Sequence, residues 1–276
     1  MRIDSHQHFW KLERGDYGWL TPELGKIYRD FGPEDLKPKL DVAGIDGTII
    51  VQAASSVAET EFMLSIADQH DWVLGVVGWV DFDDPAQAVD DLVRLAENPK
   101  LVGIRPMIEN LEDPNWVLNP AHDPVFRKMI ELDLTFDALG RVWLLEPLME
   151  FFARYTDLPC VIDHCAKPLI AEGVMQPWAD QMAKIATDFD VYCKLSGLTT
   201  EAAADWKPAD ITPYVEHVLD AFGPERVMLG RDWPVLELQS DYPEWVRLVD
   251  GWLEGYSDDD RAAILGDNAA AFYLGA

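Results

Sequence analysis

Cysteine is scarce in this 276-residue chain: Cys160, Cys165 and Cys193 make an odd, sparse set, which excludes a disulfide-stapled scaffold and fits a reducing compartment. Basic residues are scarce as well, 22 Lys and Arg against 50 Asp and Glu, for a formal net charge of −28. That balance excludes a nucleic-acid partner, because holding a phosphate backbone requires clustered cations. Long hydrophobic runs are missing too. The longest, Trp72 to Trp79 among them, fall far short of the roughly 20 residues that cross a bilayer, so no membrane partner is expected. Met1 and Arg2 pass directly into Ile3-Asp4-Ser5-His6 without the basic start, apolar stretch and cleavage site of an export signal, and a cytoplasmic location is the expectation.

What is present is a 49% hydrophobic composition, enough for one substantial core. Short apolar runs rich in β-branched residues alternate with longer amphipathic stretches, the pattern of repeated β-α units. Eight strands are predicted, at Arg2-His8, Gly47-Gln52, Val73-Trp79, Leu101-Pro106, Asp133-Leu139, Pro159-Cys165, Val191-Gly197 and Arg226-Asp232. Helical stretches follow them, for example Glu59-His70, Asp84-Glu97, Pro124-Leu132, Glu146-Thr156, Gln176-Phe189 and Thr212-Phe222, and the chain ends in short helices, the last over Asp267-Leu274. Eight such units predict a single-domain (β/α)8 TIM barrel over residues 1–276. An insertion after the first strand carries Phe9, Trp10, Tyr17, Trp19 and Tyr28, and is expected either to arch over the barrel mouth as a lid or to pack on the outside.

The strongest chemical signal is Asp4-Ser5-His6-Gln7-His8, since residues two apart on a strand project from one face. His6 and His8 then point together at the C-terminal mouth, where paired imidazoles suit metal ligation or polarisation of a carbonyl. His164 lies near the end of strand six and Asp232 at the end of strand eight, positions from which catalytic groups on this fold come. Arg105 ends strand four, where a guanidinium can hold a lactone carbonyl or substrate carboxylate, or else brace a buried acid. Trp79, Lys167 and Lys194 sit near other strand ends and Trp10 follows the His pair; Trp79, Lys167 and Trp10 are expected to contact substrate alongside Arg105, with a structural role for Trp79, Lys167 and Lys194 as the alternative. His70, His122 and His217 fall on helices or loops and read as surface residues. Cys165, beside His164, is discounted as a nucleophile because adjacent strand residues face opposite sides.

His-x-His on strand one, His on strand six and Asp on strand eight resemble the amidohydrolase superfamily. Asp-Ser-His-Gln-His-Phe-Trp, Asp-His-Cys-Ala-Lys-Pro, Lys-Leu-Ser-Gly-Leu and Gly-Arg-Asp-Trp-Pro-Val are similar to its sugar-lactonase branch, the L-fuconolactonase and L-rhamnonolactonase group, from residue 4 to residue 235. The resemblance implies hydrolysis of an aldonolactone ester by a barrel enzyme, with Asp232 as base and His6, His8 and His164 beside it. Dicarboxy-pyrone hydrolases, metal-dependent decarboxylases and a lactone isomerase share the architecture and stand as alternatives.

Two features depart from the family pattern. Arg105 and Asp137 occupy strand ends where metal-dependent members usually place a Lys or Glu and a further His, so a bridged two-metal site is not expected. His6, His8, His164 and Asp232 suffice for one Zn2+, and the alternatives of one divalent cation and none both stand. Arg231 replaces the small residue that usually precedes Asp-Trp-Pro, which leaves its effect on the site open. The expected ligand is a small sugar lactone, and a homo-oligomer is left open.

Overall fold

The computed structural model describes residues 1–275. Its strands are β1 (Ile3–Gln7), β2 (Gly47–Val51), β3 (Val73–Gly78), β4 (Leu101–Ile104), β5 (Thr135–Ala138), β6 (Cys160–Ile162), β7 (Val191–Leu195) and β8 (Val227–Leu229). All pair in parallel, in sequence order. The ring closes where Asp232 N donates to His6 O at 2.8 Å and His8 N to Trp233 O at 2.7 Å. The eight-stranded barrel expected from the sequence is therefore present, although several strands are shorter than read.

Around it run the helices α1 (Pro33–Ala43), α2 (Val57–Ala67), α3 (Pro85–Leu95), α4 (Asp123–Glu131), α5 (Leu145–Arg154), α6 (Trp178–Asp188) and α7 (Pro208–Phe222). Then come α8 (Tyr242–Trp252), α9 (Asp258–Ala262) and α10 (Asn268–Leu274). Their starts follow local chemistry: Ser56, Asp84 and Asp241 accept from backbone N–H groups of the first turns of α2, α3 and α8, satisfying donors that the helix leaves free. No described helix is long and apolar enough to cross a membrane.

The barrel interior has two levels. The lower is apolar: Ile3, Ile49, Val51, Val77, Val102, Val161 and Met228 pack against Ala269, Ala270 and Tyr273 of α10, which seals the floor. Each buried branched side chain of this kind contributes roughly 1.5–3 kcal/mol. Above it the interior turns polar, with His6, Arg105, Asp137, Asp163 and Lys194 all buried.

The change of character depends on β1. Asp4 pairs with Thr48 and Gln7 with Ile50, so β1 carries one extra residue between them, a bulge that breaks the strict alternation assumed from the sequence. Simple alternation would put Asp4 on the face of His6 and His8. Instead Asp4 joins α8 and β8, its carboxylate accepting from Tyr242 Oη at 3.3 Å and from Arg231 N at 3.0 Å. The Arg231 side chain follows it, buried, with Nη1 3.7 Å from Asp4 and the guanidinium 5.0 Å from the Tyr242 ring centre. Arg231 is thus turned away from the polar interior.

The aromatic insertion is a packed plug rather than a free flap. Trp10 and Phe31 exchange backbone hydrogen bonds at 3.1 and 3.0 Å, pinning its two ends together. Phe9, Trp10 and Tyr17 are buried, while Trp19 remains 37% exposed and donates through Nε1 to Ala53 O at 2.7 Å.

Candidate active site

A cavity of about 180 Å³ opens at the barrel mouth, walled by His8, Trp19, Arg105, Glu109, Asn110, Leu139, His164, Lys167 and Asp232 among others. At its base three imidazoles converge on one carboxylate oxygen. Asp232 Oδ1 lies 3.0 Å from His8 Nε2, 3.8 Å from His6 Nε2 and 3.9 Å from His164 Nε2. The sequence-predicted quartet is brought together.

Local backbone explains how. His164 is not on a strand: β6 stops at Ile162, and His164, Cys165, Ala166 and Lys167 all take left-handed conformations with φ of 51, 52, 56 and 49°. A single left-handed turn of non-glycine residues costs roughly 1–2 kcal/mol per residue, so surrounding contacts must hold it. Trp178 Nε1 donates to Cys165 O at 2.7 Å and His164 Nδ1 meets Ser196 Oγ at 2.8 Å. The turn delivers His164 and Lys167 together to the cavity and sends the Cys165 thiol to Lys194 O. Asp232 is also left-handed, with φ 54°.

Burial pushes His164 down to about 4 despite the Asp232 and Asp163 carboxylates, and pushes His6 well below its ordinary value, so both rings are neutral near pH 7. Burial alone would raise Asp232, but the His164 ring and the close approach of His8 outweigh it and hold its carboxyl below the usual range. His8 Nδ1 lies 2.8 Å from Val51 O, an oxygen that only accepts, so Nδ1 carries the ring proton. Nε2 then aims a lone pair at an anion 3.0 Å away, an approach that is favourable only with a cation between them. A second ring proton or a metal ion fills that requirement, and His6, His8 and Asp232 form a group of the right spread for one ion. A second group, His6, Asp163 and His164, is less suited, since Asp163 is already neutralised by Arg105 at 3.1 Å and Lys194 at 3.0 Å. The donor set therefore fits one divalent cation.

Arg105 braces this assembly from below. Its Nη1 donates to Asp163 and lies 3.2 Å from His6 Nε2, and Nη2 donates to Gln52 O, yet the residue also reaches the cavity wall. Lys167 pairs with Glu109, which in turn takes Arg141 Nε at 3.2 Å. Trp79 stands outside this cavity, in a neighbouring cleft with Phe82, Met107 and Trp116. Trp10 is buried behind the cavity, its ring 6.5 Å from that of His8 and 5.5 Å from that of Trp19. His122, read from the sequence as a surface residue, is instead buried against Trp116 and Phe82, because the loop before α4 folds under those rings.

Sequence reasoning missed Glu109, Asn110 and Asp163 as site groups. Glu109 and Asn110 follow β4 within its loop at the mouth, and position after a barrel strand was a usable signal for them. Asp163 sat unremarked beside His164 in Asp-His-Cys-Ala-Lys-Pro.

Comparison with known proteins adds to the geometry. The amidohydrolase family model matches residues 3–274. The L-fucono-1,5-lactonase of Burkholderia ambifaria is 41% identical over 280 residues, covering 99% of this chain and 95% of that protein. The L-fucono-1,5-lactonase of Burkholderia multivorans is 34% identical, with 99% and 96% covered. A crystal structure of an amidohydrolase from Burkholderia multivorans with bound zinc superposes with a TM-score of 0.93 at 34% identity, covering 99% of each chain.

Proposed function

This chain belongs to the amidohydrolase family, and from that premise we propose that residues 1–276 form one catalytic domain that hydrolyses a sugar 1,5-lactone of the L-fucono type to the open-chain acid. The observation that carries the reading is the convergence of His6, His8 and His164 on the Asp232 carboxylate at the base of an open cavity.

Hydrolysis of a lactone requires an activated water, a stabilised tetrahedral oxyanion and a proton for the departing ring oxygen. Asp232 is a carboxylate throughout the working pH range and stands at the cavity base, placed to take a proton from water and to return it to the alkoxide. His164 Nδ1 bonds the Ser196 hydroxyl at 2.8 Å; with that hydroxyl as the donor, Nε2–H faces the cavity and can donate to the oxyanion. Arg105 adds a fixed positive charge on the same wall. Lys167, Glu109 and Asn110 line the mouth with donors and acceptors for the sugar hydroxyls, and Trp19 gives them a flat apolar face. Trp10 acts from behind by fixing Trp19, and Trp79 bounds the adjoining cleft. A divalent cation, when bound, is held by His6, His8 and Asp232 beside His164 and supplies Lewis-acid polarisation of the carbonyl. The three buried free cysteines suit a reducing cytoplasm.

The test is a panel of sugar lactones followed by proton release, before and after exhaustive chelation verified by elemental analysis. Rapid opening of L-fucono-1,5-lactone supports the reading, and failure to open any sugar lactone overturns it. Loss of activity on chelation with recovery on adding Zn2+ or Mn2+ assigns the cation; unchanged activity assigns the work to the side chains alone.

A further inference from the structure

We propose that Glu109 is a specificity-determining residue: by holding both cations of the cavity mouth, Lys167 and Arg141, it confines the site to lactones whose far end carries no charge. The inference rests on the proposed lactone hydrolysis and narrows the substrate class within it. Glu109 lies in the loop after β4 and lines the cavity with Lys167, which the left-handed turn after β6 delivers beside His164. Lys167 Nζ donates to Glu109 Oε2, and Arg141 Nε stands 3.2 Å from the same oxygen. Arg141 Nη1 then donates to Glu201 Oε2 at 3.3 Å, so two cations meet two acids in one cluster. Burial alone would raise the Glu109 carboxyl, but Lys167 and Arg141 outweigh it and hold the group below its ordinary value. Glu109 is therefore an anion near pH 7.

This pairing decides what a bound molecule meets at the mouth. Glu109 spends Oε2 on the two cations, while its Oε1 takes no donor among the described residues. An ionised carboxylate only accepts, so Oε1 suits a sugar hydroxyl, which brings a proton, and disfavours a second carboxylate, which brings none and is repelled. Arg105, the other Lys or Arg side chain on the cavity wall, is paired with Asp163 at 3.1 Å. Neither cation of the wall is thus left to neutralise a charge at the substrate's far end. The carboxylate formed on ring opening arises at the Asp232 end of the cavity, so the discrimination acts on a second one at the opposite end. Neutralising Glu109 alone reverses the preference, because Lys167 and Arg141 then outnumber Glu201 and the cluster turns net positive towards an incoming carboxylate.

Titration calorimetry with L-galactonate and with galactarate, which carries a carboxylate in place of the terminal CH2OH, reads the preference without turnover. The wild type should bind galactonate more tightly. In Glu109→Gln the galactarate-to-galactonate affinity ratio should rise about 10- to 100-fold, as expected when a like charge facing a ligand is removed. Proton release from L-galactono-1,4-lactone and L-galactaro-1,4-lactone should show kcat/KM shifting towards the charged lactone in the same variant. Lys167→Met removes a cation and should move the ratio the other way; a rise there as well would mean a loosened mouth and overturn the proposal. Glu109→Ala serves if Glu109→Gln does not fold. A wild type that binds galactarate as tightly as galactonate, or an unchanged ratio in a folded Glu109 variant, overturns the proposal, and so does binding of neither acid to either protein. The expected binding ratios in a wild type inert on every lactone would overturn the proposed reaction while upholding Glu109 as the residue that sets the charge preference.

Discussion

Gly230 lies so close to His6 that a Cβ at that position would fall 2.7 Å from the His6 Cβ and 3.1 Å from the Ser196 Cβ. Atoms at such distances must move, and both neighbours belong to the site or support it. Gly230→Ala should therefore cost about 1–3 kcal/mol of stability through overpacking and displace His6. Denaturant unfolding and lactone turnover measured on one preparation check this: a variant equal to wild type in both would show that the interior has slack at this point.

Asp232→Asn should leave the fold intact and reduce turnover at least ~100-fold, since an amide cannot accept a proton from water. Its circular dichroism and thermal midpoint should stay near those of the wild type. Retention of most of the wild-type turnover would remove Asp232 from the role of base.

Ala166 sits in the middle of the left-handed turn with φ 56° and carries a Cβ that this backbone tolerates poorly. Relief of about 1–2 kcal/mol of strain by Ala166→Gly is partly offset by the roughly 0.5–1 kcal/mol entropic cost of glycine. The expected result is a thermal midpoint raised by a degree or two, with turnover lowered because His164 and Lys167 are held less firmly. A lower midpoint would mean that the turn is not strained.

Glu59 offers a pH-dependent test. Its carboxylate accepts from Ala53 N and Ala54 N beneath the cavity wall, but burial outweighs those bonds and pushes it from the ordinary 4.5 up to about 7. Between those pH values the folded protein keeps a proton that the unfolded chain releases. The group's stabilising contribution is therefore complete below pH 4.5 and is lost as pH rises through 7. Wild-type stability minus that of Glu59→Gln should fall by about 3 kcal/mol across this window. A flat difference from pH 4 to 8 would contradict the assignment.

Much of the architecture was legible in the chain because β-branched runs and amphipathic stretches report burial directly, and burial is what closes the barrel. His6, His8, His164 and Asp232 were legible as polar residues at the apolar ends of such runs. The left-handed turn at 164–167 was not, since it contains neither glycine nor asparagine to announce it. Nor was the ion-pair line from Arg105 through Asp163 to Lys194 and Asp137, whose members come from four strands or the turns after them and meet only after closure. Arg231, conspicuous in the sequence beside Asp232, lies on the opposite side of the wall, against Asp4 and Tyr242.

The extra residue in β1 has a consequence for how such a site can be lost or transferred. Aim along a strand is a matter of parity, so the inward direction of His6 is stored in the number of residues between Asp4 and Gln7 and not in their identity. Flattening of the bulge with its residues kept would bring Asp4 and the histidines onto one face without altering the composition, whereas loss of one residue would leave a regular strand that still holds them apart. Exchange of this strand with that of a relative should carry the site across only when the whole stretch from Asp4 to His8 travels as one piece.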